Sequence, residues 1–171
     1  MAKAIKMNSN LEVKKSDVIV KARYTLSPLA IKFISAIISS LRYDDAPNQE
    51  YVFRVKDFQE LGGYKTKQIY SLVDEALNNL LKNPLTIYLN DEDNSVLKVN
   101  WISSAVYNNG SVSFYIDPRL KPYLLEAKEK FLKYKLENIL KLRSGYSIRI
   151  YEIFKDIYNL NKRYGSFAKT T

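Results

Sequence analysis

Residues Asp57 to Pro84 narrow most sharply what this chain can become. Asp57-Phe58-Gln59-Glu60-Leu61 leads into Gly62-Gly63-Tyr64, and a run from Lys65 to Asn83 follows, stopped by Pro84. The pattern predicts a short helix, a glycine turn and a longer second helix. Along that helix Ile69, Leu72, Val73, Ala76, Leu77, Leu80 and Leu81 recur at three- and four-residue steps and share one face. Lys67, Ser71, Asn78 and Lys82 point the other way, and Lys65, Thr66, Lys67 and Gln68 stand at the helix N-terminus. A helix-turn-helix offers the N-terminal residues of its second helix to the DNA major groove. An ordinary helical hairpin has the same outline, and this stretch alone leaves both readings open.

The flanking segments decide between them. Two helices are expected upstream: Ser16 to Ala22, capped by Ser16, and a stronger one opened by Ser27-Pro28 with Ala30, Phe33, Ile34, Ile37, Ile38 and Leu41 on its core face. Tyr51 to Lys56 alternates as a strand. After Pro84 the period falls from 3.6 to 2. Leu85, Ile87 and Leu89 form one strand face, Asp91-Glu92-Asp93-Asn94 turns the chain, and Leu97, Val99 and Trp101 open a strand running on towards Tyr107. Asn109-Gly110 is a two-residue hairpin signal, and Val112, Phe114 and Ile116 face the core in the next strand. Helices, a helix-turn-helix and an antiparallel meander in that order give an α+β winged helix with additional flanking helices, the hairpin being the wing.

The remainder reads as helix, with a looser end. Pro122 to about Tyr134 is expected as a helix with a charged face of Lys128, Lys130 and Lys133. Tyr146 to about Leu160 is expected as a last helix whose wide apolar face, with Ile153, Phe154, Ile157 and Tyr158, goes chiefly to the core. The expected layout is a flexible tail over 1–10, the DNA-binding and dimerisation domain over 11–162, and the start of a linker over 163–171.

Composition excludes much chemistry. The 171 residues contain no cysteine and no histidine. Disulfides, thiolate metal sites, His-ligated zinc and Ser-His-Asp triads are therefore ruled out. No nucleotide-binding glycine motif occurs, and no apolar run approaches the about 20 residues of a membrane span. Fourteen tyrosines raise the question of a strand-transfer nucleophile. Without histidine to assist, and with most tyrosines at core-facing periodicity, no catalytic residue, metal or cofactor is assigned. Lysine plus arginine is 27 against 18 acidic residues, a formal charge of +9. That excess favours a polyanionic partner, nucleic acid before membrane.

The candidate DNA-binding residues are Lys65, Thr66, Lys67, Gln68 and Ser71, with Asn78 and Lys82 further along the helix and Asn109 and Gly110 at the hairpin tip. Lysines neutralise phosphates, and Gln68 has the amide that pairs bidentately with adenine. Asp74 and Glu75 confine the basic face to the first turns. The Asp91-Glu92-Asp93 tip is acidic, so the small neutral tip at Asn108-Asn109-Gly110-Ser111 is the better wing. Arg143 and Arg149 are assigned to ion pairs or helix-end contacts ahead of phosphates.

Two stretches resemble a known family. Val18-Ile19-Val20-Lys21-Ala22-Arg23-Tyr24-Thr25-Leu26-Ser27 resembles the opening of the iteron-binding plasmid replication initiators that carry two winged helices. Leu142-Arg143-Ser144-Gly145-Tyr146-Ser147-Ile148-Arg149-Ile150-Tyr151-Glu152 resembles that family's leucine-x-serine-x-tyrosine-serine-x-arginine-x-tyrosine-glutamate signature. The resemblance spans roughly residues 10 to 165. It implies an N-terminal winged helix that binds double-stranded DNA at repeated origin sequences, forms a homodimer, and meets host replication proteins in the bacterial cytoplasm. It also implies that the chain is an N-terminal portion, or a naturally short relative, lacking a second winged helix. A single winged-helix transcription regulator, or a winged helix that docks to proteins, shares the charge and topology.

Overall fold

The computed structural model describes residues 1–125 and 131–164. Strand β1 (Lys3–Ala4) and strand β2 (Glu12–Ser16) precede two helices, α1 (Asp17–Lys21) and α2 (Pro28–Ser40). Both helices start where serine chemistry places them. The Ile19 N–H donates to Ser16 Oγ at 3.3 Å and the Ala30 N–H to Ser27 Oγ at 3.2 Å, each satisfying one orphan donor of a first turn. Helix α2 is the axis of the domain, with Ala30, Ile31 and Phe33 through Ile38 buried.

Strand β3 (Glu50–Arg54) runs into helix α3 (Val55–Gly62), and helix α4 (Ile69–Lys82) follows. Phe33 of α2 meets Phe53 and Phe58 edge-on at centroid distances of 5.0 and 5.1 Å, so one aromatic cluster fixes α2, β3 and α3 together. The apolar stripe of α4 is buried at Ile69, Val73, Ala76, Leu77 and Leu80. At its far end the Ser27 N–H donates to Asn79 Oδ1 at 3.0 Å, tying α4 to the start of α2.

The β region departs from a single meander. Strands β4 (Leu85–Asn90) and β5 (Ser95–Val99) form a two-stranded hairpin of their own. The chain breaks at Asn100-Trp101, where the Trp101 ring is fully buried edge-on against Tyr24. Strands β6 (Ile102–Asn108) and β7 (Ser111–Ile116) then join a four-stranded sheet in the order β1-β3-β7-β6. The strand expected to run from Leu97 to Tyr107 is thus two strands in two sheets. Burying the indole ends one hairpin and starts the other. Because β7 pairs with β3, the β6–β7 hairpin is the wing, and its tip is Asn109-Gly110.

Two further expectations are corrected. Residues 1–10 are not a loose tail: β1 pairs in parallel with β3, Ile5 is buried, and Lys3 forms an ion pair with Asp45. The helix expected from Pro122 to Tyr134 is a short helix α5 (Lys121–Leu125) and a strand β8 (Phe131–Lys135), while Lys128 and Lys130 lie outside the described residues. Strand β8 pairs antiparallel with β2, burying Leu132 and Tyr134 and leaving Lys133 and Lys135 exposed. A period of 2 with apolar residues inward is the pattern of a half-buried strand.

Helix α6 (Glu137–Leu140) and helix α7 (Gly145–Tyr164) end the described residues, α7 extending two residues into the stretch read as linker. Residues 165–171 of that stretch lie outside the described residues. The apolar face of α7 expected chiefly in the core is largely exposed: Ile148 is buried, but Tyr146, Ile153, Phe154, Ile157 and Tyr158 are not. Among the described residues, the buried side chains of α7 are Ile148 and Glu152, both in its first half.

Candidate nucleic-acid interface

The connection between α3 and α4 is built around Gly63. This residue caps α3 with φ 65° and ψ 29°, the left-handed region that glycine enters without a Cβ penalty. The Tyr64 N–H donates to the Gln59 carbonyl at 3.1 Å, closing the helix end. The Tyr64 ring then folds back on Phe58 at 5.5 Å, and its burial raises the hydroxyl pKa above the ordinary value. Gln59 Nε2 donates to the Tyr64 carbonyl at 3.2 Å and to Thr66 Oγ1 at 3.0 Å, so the turn is held from α3.

Helix α4 starts later than the sequence pattern suggests. Lys65 to Gln68 form a turn in which the Gln68 N–H donates to the Lys65 carbonyl at 3.1 Å, and regular helix begins at Ile69. Gln68 is the N-cap residue without a side-chain cap bond, so its amide is not consumed by capping. Ser71 Oγ donates to the Gln68 carbonyl at 2.9 Å. Lys65, Thr66, Lys67, Gln68 and Ser71 are all exposed. The structure therefore gathers these five expected residues on one turn and the first turn of one helix, where the helix dipole also favours an anion.

The other four are spread out. Asn78 donates to Asp74 Oδ2 at 3.2 Å and is half-buried. Lys82 ends α4, about 20 Å from its start at 1.5 Å per residue. Neither joins the basic turn. Asn109 and Gly110 form the wing tip with φ 47° and 77°, the geometry of a type I′ turn. The Val55 N–H donates to the Gly110 carbonyl at 2.9 Å, so the tip is tied to the first residue of α3.

Two aromatic residues that periodicity does not single out bridge these parts. Tyr70 on α4 and Tyr107 on β6 meet edge-on at 5.9 Å, and they are 54% and 47% exposed. Desolvation, then the neighbouring Tyr70, holds the Tyr107 hydroxyl above its ordinary pKa. It stays a neutral donor at physiological pH. Off-face tyrosines are the only sequence signal for the pair. Arg54, the last residue of β3, is engaged by Asp57 through Nε at 3.1 Å and Nη2 at 2.8 Å.

The signature arginine has a structural role, as expected. Arg149 Nη1 donates to Tyr24 OH at 2.5 Å and to Glu152 Oε2 at 3.3 Å, and Nη2 donates to the carbonyls of Val20 at 3.0 Å and Ala22 at 3.3 Å. Glu152 accepts from Tyr134 OH at 2.6 Å and forms a buried ion pair with Lys15. Among the described residues no cluster of acidic side chains is arranged to hold a metal ion, and no helix is long and apolar enough to cross a membrane.

Comparisons with known proteins give a family and a fold. Residues 12–155 match the family described as Initiator Replication protein, WH1. A curated replication initiation protein of Escherichia coli is 24% identical over 152 residues, 84% of this chain and 46% of its own length. The chain thus spans about half the length of that relative. Among solved structures, that of the Pi initiator protein in complex with iteron DNA superposes with a TM-score of 0.66 and 18% identity, over 87% of this chain and 65% of that one. A looser likeness, with a TM-score of 0.43 and 13% identity over 67% of this chain and 81% of that one, is to the WH1 domain of MSBI1.176, a replication protein isolated from a multiple sclerosis patient.

Proposed function

The chain belongs to the initiator replication protein family as its WH1 domain, and from that premise we propose that it binds double-stranded DNA at repeated origin sequences to initiate plasmid replication. The proposed contacts are Lys65, Thr66, Lys67, Gln68 and Ser71, with Asn109 and Gly110 at the wing. Asn78 and Lys82 are peripheral and serve the phosphate backbone. The observation that carries the reading is the exposed basic turn at the start of α4, tied through α3 to a small uncharged wing tip. No residue is asked to do covalent chemistry. Lysines at the turn neutralise phosphates, Gln68 reads a base edge, and the Tyr70–Tyr107 pair lies between helix and wing as a contact surface.

The proposal extends to self-association and to docking of host replication proteins. The support for self-association is that β6 is an edge strand of its sheet, with Val106 exposed, and such an edge can accept a strand from a second copy. Light scattering across a concentration series tests it, and a monomer mass at every concentration removes the dimer.

Mobility shifts on a duplex carrying tandem repeats of the cognate origin, across a salt series, test the DNA reading. Lys65→Ala with Lys67→Ala should lower the slope of log K against log salt by about 2, near 0.9 for each phosphate no longer neutralised. Undiminished affinity would remove the turn from the interface. Binding that ignores sequence would mean that this domain positions on phosphates and does not read bases.

A further inference from the structure

Between β8 and the C-terminal half of α7 lies an open cleft of about 590 Å³ that the duplex-reading surface does not use. It is lined by Lys133 and Lys135 from β8 and by Lys155, Asn159 and Lys162 from α7. The spacing is a consequence of the two elements. Residues 133 and 135 share the outward face of a strand, about 7 Å apart at 3.4 Å per residue. Residues 155, 159 and 162 stand at i, i+4 and i+7 on one face of a helix. The one acidic side chain in the lining is Glu12, which pairs with Lys133 at 3.1 Å. Four lysines against one carboxylate leave the cleft strongly positive.

Aromatic rings line the same side of α7. Tyr151, Phe154 and Tyr158 form an apolar hollow that shares Lys155 with the cleft. Phe154 is 67% exposed and Tyr158 59% exposed, with Lys155 Nζ over the Tyr158 ring at 5.2 Å. Exposed rings beside a row of lysines are what a single strand of nucleic acid requires: cations along the backbone and flat faces for unpaired bases. A duplex keeps its bases stacked inside and has no use for the rings. An acidic peptide would use the lysines and gain nothing from planar faces in particular. The cleft and α4 are also separate: α4 packs on α2, and α7 packs on α2 and β8.

We propose that the β8–α7 cleft binds single-stranded nucleic acid, with phosphates on Lys133, Lys135, Lys155 and Lys162 and bases stacked on Phe154 and Tyr158. This site is independent of the duplex-reading surface proposed above, and the two proposals can fail separately.

The experiment is fluorescence anisotropy of the 171-residue chain with labelled oligothymidine of about 16 nucleotides, the upper site size of one single-strand-binding fold. An origin-repeat duplex is measured in parallel. Phe154→Ala or Tyr158→Ala should each weaken oligothymidine binding at least about fivefold, the low end for removal of a base–aromatic stack. Lys155→Ala with Lys162→Ala should lower the salt slope by about 1.4, near 0.7 for each single-strand phosphate no longer neutralised. Lys155→Arg should keep the slope, and duplex binding should be unchanged in all of them. All these side chains are exposed or half-buried, and unchanged thermal melting confirms that each variant is folded. The proposal is overturned if the unmutated chain does not hold oligothymidine at low salt, or if these variants bind it as well as the parent. Equal displacement of oligothymidine by polyglutamate, or a parallel loss of duplex binding, overturns it as well. Lys65→Ala with Lys67→Ala is the control: it should weaken the duplex and spare the single strand.

Discussion

Glu152 shows how much a single side chain carries here. It is fully buried on α7, yet Lys15 of β2, Tyr134 of β8 and Arg149 of its own helix all converge on its carboxylate. Burial alone would raise its pKa. The two cations and the tyrosine hydroxyl outweigh burial and hold it below the ordinary 4.5. Removing one partner of a buried pair leaves the other charge uncompensated, so Glu152→Gln should cost about 3–5 kcal/mol. Lys15→Met added to it should recover part of that loss, because the stranded ammonium is gone. Urea denaturation measures both. The pH dependence has a definite sign. The unfolded chain protonates Glu152 at a higher pH than the folded one, so its contribution is complete above 4.5 and disappears as the pH falls through the lower folded value. The fall in urea midpoint below pH 4.5 should therefore be shallower in Glu152→Gln. It should not vanish, because Asp45, paired with Lys3, is also lowered. Arg149 and Glu152 stand out in the sequence as signature residues. Lys15 does not, because a lysine between Lys14 and Ser16 reads as surface until a distant helix brings it a carboxylate.

At the scale of elements, the turn between α3 and α4 fixes where the basic residues point. Gly63 sits at φ 65°, and nothing lies within 4 Å of where a Cβ would be. The cost of Gly63→Ala is therefore conformational, not steric, at about 1–2 kcal/mol. Gly63→Asn should cost less, since asparagine tolerates the left-handed region. Thermal melting measures both, and equal losses would show that contacts of the side chain, not the backbone, set the cost. This turn is legible from its glycines, as are both serine caps, the Pro28 start and the Asn109-Gly110 wing tip, because each is a local rule acting on adjacent residues. The elements that sequence pattern misses depend on distant partners. Strand β1 exists because β3 lies beside it, and β8 because β2 does. The alternation of Leu132, Tyr134 and Leu136 with lysines is a strand signal, but the spacing of charges around it suggests a helix. The start of α4 falls four residues later than expected for a similar reason: Lys65 to Gln68 are permissive in a helix, and the hold of α3 on Thr66 keeps them in a turn.

The whole molecule is a core wound on α2, with a helix that leaves it. Eight residues of α2 are buried, and α4, β2 and α7 all pack against it. Helix α7 shares this core only in its first half, since Ile148 and Glu152 are buried and every described residue from Ile153 to Lys162 is exposed or half-buried. A helical segment that buries no side chain is marginal by itself, because most helical stability in proteins comes from packing. Amide hydrogen exchange should therefore separate the two halves. Amides of α2 should open only with the whole domain, while those of α7 beyond Asp156 should exchange at least about a thousandfold faster, about 4 kcal/mol in opening free energy. If the second half is instead protected like α2, its apolar row is covered in solution. Dilution then decides by what: protection that falls with concentration means a second copy of the chain, and protection that does not means contacts within one molecule. Adding oligothymidine to the dilute protein extends the same measurement. A single strand seated in the β8–α7 cleft should slow exchange from Phe154 to Lys162 and leave the turn at Lys65 to Ser71 unchanged, whereas a duplex should do the reverse.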